Sequence, residues 1–339
     1  MRRVTIRDDG TPALESAGPD TPRTGELRLR MRASGLCGTD LFKLAKGGLA
    51  PGTVLGHEVV GEVIAVGPEV ESFRPGQRVV VPHHLACGRC RLCLAGAETQ
   101  CPEFRTLQLR PGGFADEILV AAPAVRQSAQ LVPDELDDLD ALFLEPAACV
   151  LRSIERAGLG AESGAGSPAS AAILGGGSMG LLHLLVLRAV RPGISVTLIE
   201  PVAERRELAR TLGAAGAFPP GDPALEGLAA DAAFDCVGGG ARSREALALV
   251  RPGGTVVLFA HGAPGEAPAF ALNDLFQQEK RLVGAYSGAL AEQRRVFGLL
   301  AAGTLRPAVL VSHRLPLEEF ARGIELARSR EAMKVVFHP

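Results

Sequence analysis

The chain has 339 residues, 47% apolar and 22% charged, and a formal net charge of −2. That length suits two domains or one large one, and the near-neutral balance gives no electrostatic reason to expect nucleic acid or an anionic membrane as partner. The start, MRRVTIRDDG, has no apolar secretory core and no apolar run reaches membrane-spanning length, so the expected compartment is the cytoplasm.

The first third reads as β-structure. ELRLRMRASGLCG alternates apolar and polar residues, and GHEVVGEVIAVG and GQRVVVP are β-branched runs punctuated by Gly and Pro. GLCGTDLF carries Cys37, Thr39 and Asp40, and GHEVVGE carries His57 and Glu58. In a regular strand His57 and Glu58 would point to opposite faces, so only a bend at Gly56 would bring both to one metal. His83 and His84, in VPHHLACG, read as a pair of surface-loop histidines.

CGRCRLCLAGAETQC follows, with Cys87, Cys90, Cys93 and Cys101 spaced C-x2-C-x2-C-x7-C. In a reducing compartment cysteines argue for metal or catalysis over disulfides. Four thiolates can close a tetrahedron around zinc and leave no position for substrate, so the expected site is structural. An iron–sulfur cluster also uses four cysteines, and a nucleic-acid-binding zinc module would need a basic surface that the chain lacks. Further on, FLEPAACV holds Glu145 before Pro146, where it can equally be a charge at a helix N-terminus. A catalytic zinc wants about three protein ligands and one exchangeable position. Cys37, His57 and a carboxylate would supply that set.

The middle of the chain changes character. The stretch GAESGAGSPAS (160–170) reads as a surface loop. SAAILGGGSMGLLHLLVLRAV is an apolar strand, a glycine turn and a helix, and ISVTLIE, AAFDCVG and GGTVVLFA are further buried strands separated by helical patterns such as PVAERRELARTLG. This alternation predicts a parallel sheet with helices on both faces. Gly175, Gly177 and Gly180 stand in G-x-G-x-x-G order between strand and helix, where backbone can approach a pyrophosphate. Glu200 ends the next strand. A carboxylate there can accept from ribose hydroxyls and would repel a 2′-phosphate, which favours NAD over NADP. Arg205 and Arg206 are the dissent, since either could hold a phosphate. The last residues return to mixed character and end in KVVFHP.

Taken together, CGTD, GHEVVGEV, CGRCRLCLAGAETQC, EPAACV and GGGSMG resemble, in order and approximate spacing, the zinc-dependent medium-chain dehydrogenases (alcohol, sorbitol and threonine dehydrogenases). The resemblance runs over nearly the whole length. It implies an α/β chain: a GroES-like, β-rich catalytic domain from 1–145 and 286–339, and an inserted Rossmann domain over 146–285, with the active site in the cleft. It implies that Cys37, His57 and a glutamate bind a catalytic zinc, with Glu145 as the third ligand and Glu58 as an alternative or transient one. Asp40 would hold the His57 ring by its other nitrogen, and the four cysteines would hold a structural zinc. Met179 would lie behind the nicotinamide, Cys236, Phe259 and Tyr286 along the cofactor cleft, and Arg205 against the ribose. Such chains form homodimers or homotetramers.

The reaction so implied is hydride transfer between a secondary alcohol (a polyol, sugar or cyclitol) and NAD, with Thr39 taking the hydroxyl proton. One residue departs from the pattern. Many relatives carry a proton-relaying histidine five positions after the first zinc cysteine, and here Phe42 stands there. The proton would then pass from Thr39 to the ribose hydroxyls and water, or use Lys43, His83 or His84, or the site no longer oxidises alcohols. Two alternatives stay open. One is a zinc-free enone or quinone reductase, which would not need Cys37, His57 and Glu145 together. The other is a catalytically silent nucleotide-binding protein, whose support is Phe42.

Overall fold

The computed structural model describes all residues except 19, 161–168, 264, 267–269 and 271. Most of the glycine-rich stretch expected to be a loop, from 161 to 168, therefore lies outside the described residues. The chain divides into two compact units, Met1–Pro146 with Ala289–Pro339, and Ala147–Gly288.

The first unit is built on the strand Leu27–Gly35. Its alternation places Leu27, Leu29, Met31 and Ala33 in the core while Arg30 and Arg32 face outward. It pairs antiparallel with Glu58–Val66 on one side and with Glu117–Val120 on the other. At its end Ser34 and Gly35 pair with Phe337 and Val336 of the strand Val335–His338, so the chain's C-terminal segment completes the N-terminal sheet. The core seals this join. Phe114, fully buried, has its ring 4.8 Å from Phe320 and 5.5 Å from Phe337, both from the C-terminal segment. Edge-on aromatic pairs of this kind add to what area burial alone contributes.

The second unit holds a six-stranded parallel sheet. Its strands lie in the order Gly216–Phe218, Ser195–Ile199, Ser170–Leu174, Ala230–Asp235, Val250–Leu258, Arg281–Gly284. The strands from Ser170 to Asp235 read as near-continuous Ala, Val, Ile and Leu because helices such as Ser178–Val190, Ala203–Thr211 and Gly240–Leu249 follow them. Strand order reverses between Ser170–Leu174 and Ala230–Asp235, the point at which open sheets of this kind take their ligands. This is the doubly wound arrangement the alternating pattern predicts. Among the described residues no helix is long and apolar enough to cross a membrane.

Candidate active site

Two turns bring Cys37, His57 and Glu58 together. Cys37 caps the helix Gly38–Lys46: its Sγ accepts from the Thr39 N–H at 3.5 Å, and its own N–H donates to Asp40 Oδ2 at 3.1 Å. The helix dipole favours negative charge at this end. Gly56 adopts φ of +92°, where a side chain is disfavoured, and a β-carbon there would lie 2.8 Å from Phe114 N. The strand Glu58–Val66 starts only after this turn, so His57 stands outside the pleat that would otherwise separate it from Glu58. One ligand atom from each of Cys37, His57 and Glu58 lies within 4.8 Å of the other two.

Asp40, fully buried, places Oδ1 3.5 Å from His57 Nδ1, which leaves the other ring nitrogen for the metal. Burial works against the charge on Asp40, but His57 and the Cys37 N–H outweigh it and hold the carboxyl below the usual range. Burial also opposes charge on His57, and Asp40 with Cys37 raises the imidazole well above its usual value. A metal held by His57 would take the place of that proton, so its uptake would strengthen as pH rises. Asp40 and Glu58 are buried carboxylates, each ion-paired, Asp40 with His57 and Glu58 with Lys334. A thiol, an imidazole and a carboxylate whose ligand atoms converge within 4.8 Å form a donor set that suits zinc.

Glu145 takes a different place. It opens the helix Leu144–Arg156, with Oε1 3.9 Å from His83 Nδ1, and stands outside the trio of grouped ligand atoms. The reading of His83 and His84 as surface-loop histidines is corrected. The His83 side chain is 13% exposed, and its ring centroid lies 4.6 Å from His57 and 3.6 Å from His84, which in turn is 4.9 Å from Phe104. Buried Val81 and Leu85 draw the segment inward on both sides of the pair. Burial holds His83 well below its usual value and His84 down to about 4, so both are neutral at neutral pH. Thr39 sits in the first turn of its helix, and Phe42, 37% exposed, one turn on.

The four cysteines form a compact set. Cys90 Sγ is 3.5 Å and Cys87 Sγ 3.9 Å from Cys93 Sγ, and all four sulfurs lie within 4.8 Å of one another. A disulfide would need about 2.04 Å, whereas about 2.3 Å Zn–S bonds in a tetrahedron set sulfurs roughly 3.8 Å apart. The spacing therefore fits a metal. Backbone N–H groups of Arg89 and Cys90 draw the Cys87 thiol down to about 6, while burial and the Cys90 sulfur push Cys93 up to about 12.

In the second unit Gly175 adopts φ of +96°, and a β-carbon on Gly180 would collide with Gly175 O. Gly177 caps the helix Ser178–Val190 and has open space where a side chain would stand, the approach a pyrophosphate needs. Glu200 is 4% exposed. Its Oε2 accepts from Gly176 N at 2.6 Å and its Oε1 from Val202 N at 2.9 Å, which fixes the carboxylate beside the turn. Arg206 donates to Glu200 O and Pro201 O, whereas Arg205 is half-buried on the helix Ala203–Thr211. Gly180→Ala should overpack the turn by about 1–3 kcal/mol. Nucleotide binding, followed by fluorescence titration, should weaken roughly tenfold or more; an unchanged Kd would contradict this role.

Two further residues join these sites, of which only Lys334 escaped the sequence reading. His183, fully buried, gathers three expected cofactor residues: its Nδ1 is 2.7 Å from Met179 O and 3.5 Å from Cys236 Sγ, and its ring is 4.6 Å from Phe259. Its Nε2 meets Ser153 Oγ at 2.8 Å, and burial holds it neutral, at about 4. Burial also pushes the Cys236 thiol up. Tyr286 is 40% exposed. The second residue is Lys334, whose Nζ donates to Glu58 Oε1 at 2.7 Å. Burial opposes its charge, but Glu58 and Cys37 hold the ammonium above its ordinary value.

Comparison with known proteins places these features in context. Residues 23–130 match the family described as alcohol dehydrogenase GroES-like domain, and residues 179–302 match zinc-binding dehydrogenase. The chain is 34% identical to D-altritol 5-dehydrogenase of Agrobacterium fabrum over 94% of both chains. It is 30% identical to sorbitol dehydrogenase of Bacillus subtilis over 92% of this chain and 90% of that one. A zinc-binding dehydrogenase structure from Sinorhizobium meliloti, bound to NADP, superposes with a TM-score of 0.89 at 28% identity, covering 100% of this chain and 99% of that one.

Proposed function

The chain belongs to the zinc-dependent medium-chain dehydrogenases and is an oxidoreductase of the alcohol and polyol dehydrogenase type; from that premise we propose that it transfers a hydride between a secondary alcohol of a polyhydroxy substrate and NAD. The observation that carries this reading is the buried trio of Cys37, His57 and Glu58 with Asp40 behind it. Two relatives named for polyols support the substrate class. Bound zinc would supply Lewis acidity at the substrate hydroxyl, and bound NAD would supply the hydride acceptor.

The chain's own residues do the rest. Cys37 and His57 hold the metal, with Glu58 or Glu145 as the carboxylate. Asp40 fixes the His57 ring. Thr39, two residues from Cys37, takes the hydroxyl proton, a task Phe42 cannot perform. His83 and His84, brought beside His57, offer a second route from the site. A zinc-free reductase would have no use for this trio. The four-cysteine loop holds a second, structural zinc. Seven free thiols keep a reducing, cytoplasmic compartment part of the proposal.

The choice of NAD rests on Glu200, held at the glycine turn by two backbone N–H groups. The NADP in the Sinorhizobium structure is the counterweight. Glu200→Ala should weaken NAD and relax discrimination against NADP, read as the ratio of kcat/KM for the two cofactors. If NADP is already preferred by the parent protein, the assignment of Glu200 is wrong. The whole proposal is tested by offering NAD with polyols, sugars, cyclitols, amino alcohols and simple alcohols and following reduced cofactor. Turnover on a polyhydroxy class is expected. Zinc and NAD binding without turnover on any alcohol would favour a silent site.

A further inference from the structure

Glu58 is shared between two positions that each call for a cation. On one side it belongs to the trio with Cys37 and His57. On the other its two oxygens lie 2.7 and 2.5 Å from Lys334 Nζ, with Glu58 and Lys334 side chains only 1% and 5% exposed. Burying such a pair gives little net stability, since desolvation offsets the attraction, so its presence asks for another reason.

The ammonium is held with little freedom. Lys334 Nζ also donates to Leu36 O at 3.1 Å, one residue before Cys37. Lys334 O accepts from Ser312 N and His313 N, and the next residue, Val335, accepts from Leu36 N at 3.0 Å. Gly35 completes the seat, because a β-carbon there would collide with Glu58 Oε2. The sheet join between Gly35 and Val336 thus delivers a fixed cation to the Glu58 carboxylate.

We propose that Lys334 is a positioning residue that holds Glu58 in reserve, drawing its carboxylate away from the metal position and so keeping that position open for the alcohol. The inference rests on the reading of Cys37 and His57 as metal ligands. Without Lys334 the buried carboxylate has one remaining cation to turn to, the metal. Glu58 then closes the exchangeable position, the metal is held more tightly, and substrate must compete with a protein ligand.

The test replaces zinc with Co(II), whose visible bands shift when a carboxylate takes the place of solvent among its ligands. Lys334→Met should shift the visible bands, slow release of the metal to a chelator by about tenfold, a typical size for coupling between two sites, and raise KM for the alcohol. Lys334→Arg should restore the parent spectrum. Glu58→Gln should make the spectrum indifferent to Lys334→Met, and that double variant carries neither buried charge. Should Lys334→Met fail to fold, Lys334→Gln, which keeps a donor toward Leu36 O, should show the same shift in smaller measure. Spectra and release rates that match the parent in every Lys334 variant would overturn the proposal, as would an equal change in the Glu58→Gln background. A parent protein that takes up Co(II) only at the four cysteines would instead remove the metal reading on which it rests.

Discussion

Cys37→Ala should abolish alcohol oxidation while the protein stays folded. Metal Lewis acidity contributes several kcal/mol to such a transition state, and each 1.36 kcal/mol is tenfold, so a loss of about a thousandfold or more is expected. The Sγ also caps the helix Gly38–Lys46, and losing a cap costs about 1 kcal/mol. Cys37→Ser separates the two effects, since a hydroxyl can still cap but is a poor zinc ligand. It should keep the melting temperature of the parent and lose one metal per chain together with turnover. Retained turnover in either variant would remove the metal mechanism.

Cys93→Ala should act on stability. Apart from its sulfurs the loop has little to pack: Cys93, Cys101 and Phe104 form its buried cluster, with Ala86, Cys87 and Cys90 around it, while Leu94 is exposed. Structural zinc sites in small modules supply on the order of 10 kcal/mol of folding free energy. Removing one sulfur should therefore release one zinc, lower the melting temperature and open residues 87–101 to protease. The Cys37 site should keep its metal. Because Phe104 touches His84 and His84 touches His83, a modest fall in turnover is expected as well. An unchanged melting temperature and protease pattern would show that the cysteines hold nothing structural.

The features legible in the sequence are local ones. The alternation of LRLRM, the apolar run before GGGSMG and the cysteine spacing each lie within a few residues, and each describes the strand, turn or cluster it becomes. The Gly56 turn was legible for the same reason: His57 and Glu58 are neighbours, and only a bend reconciles them. The rest depends on contacts far apart in the chain. Lys334 meets Glu58 across 276 positions, and KVVFHP carries no sign of that partner. His83 and His84 sit in a polar-looking segment, and only the fold shows that flanking Val81 and Leu85 pull them inward. His183 lies in an apolar helix where a histidine looks like a core residue. It is one, yet it also gathers Met179, Cys236 and Phe259.

Zinc content measured side by side with turnover tests the central claim most directly. The parent protein should carry two zinc ions per chain. A chelator should remove one of them first, turnover should fall in proportion, and added zinc should restore it while Cys37→Ser stays inactive. Full turnover from protein that has lost the metal at Cys37, His57 and Glu58 would contradict the account.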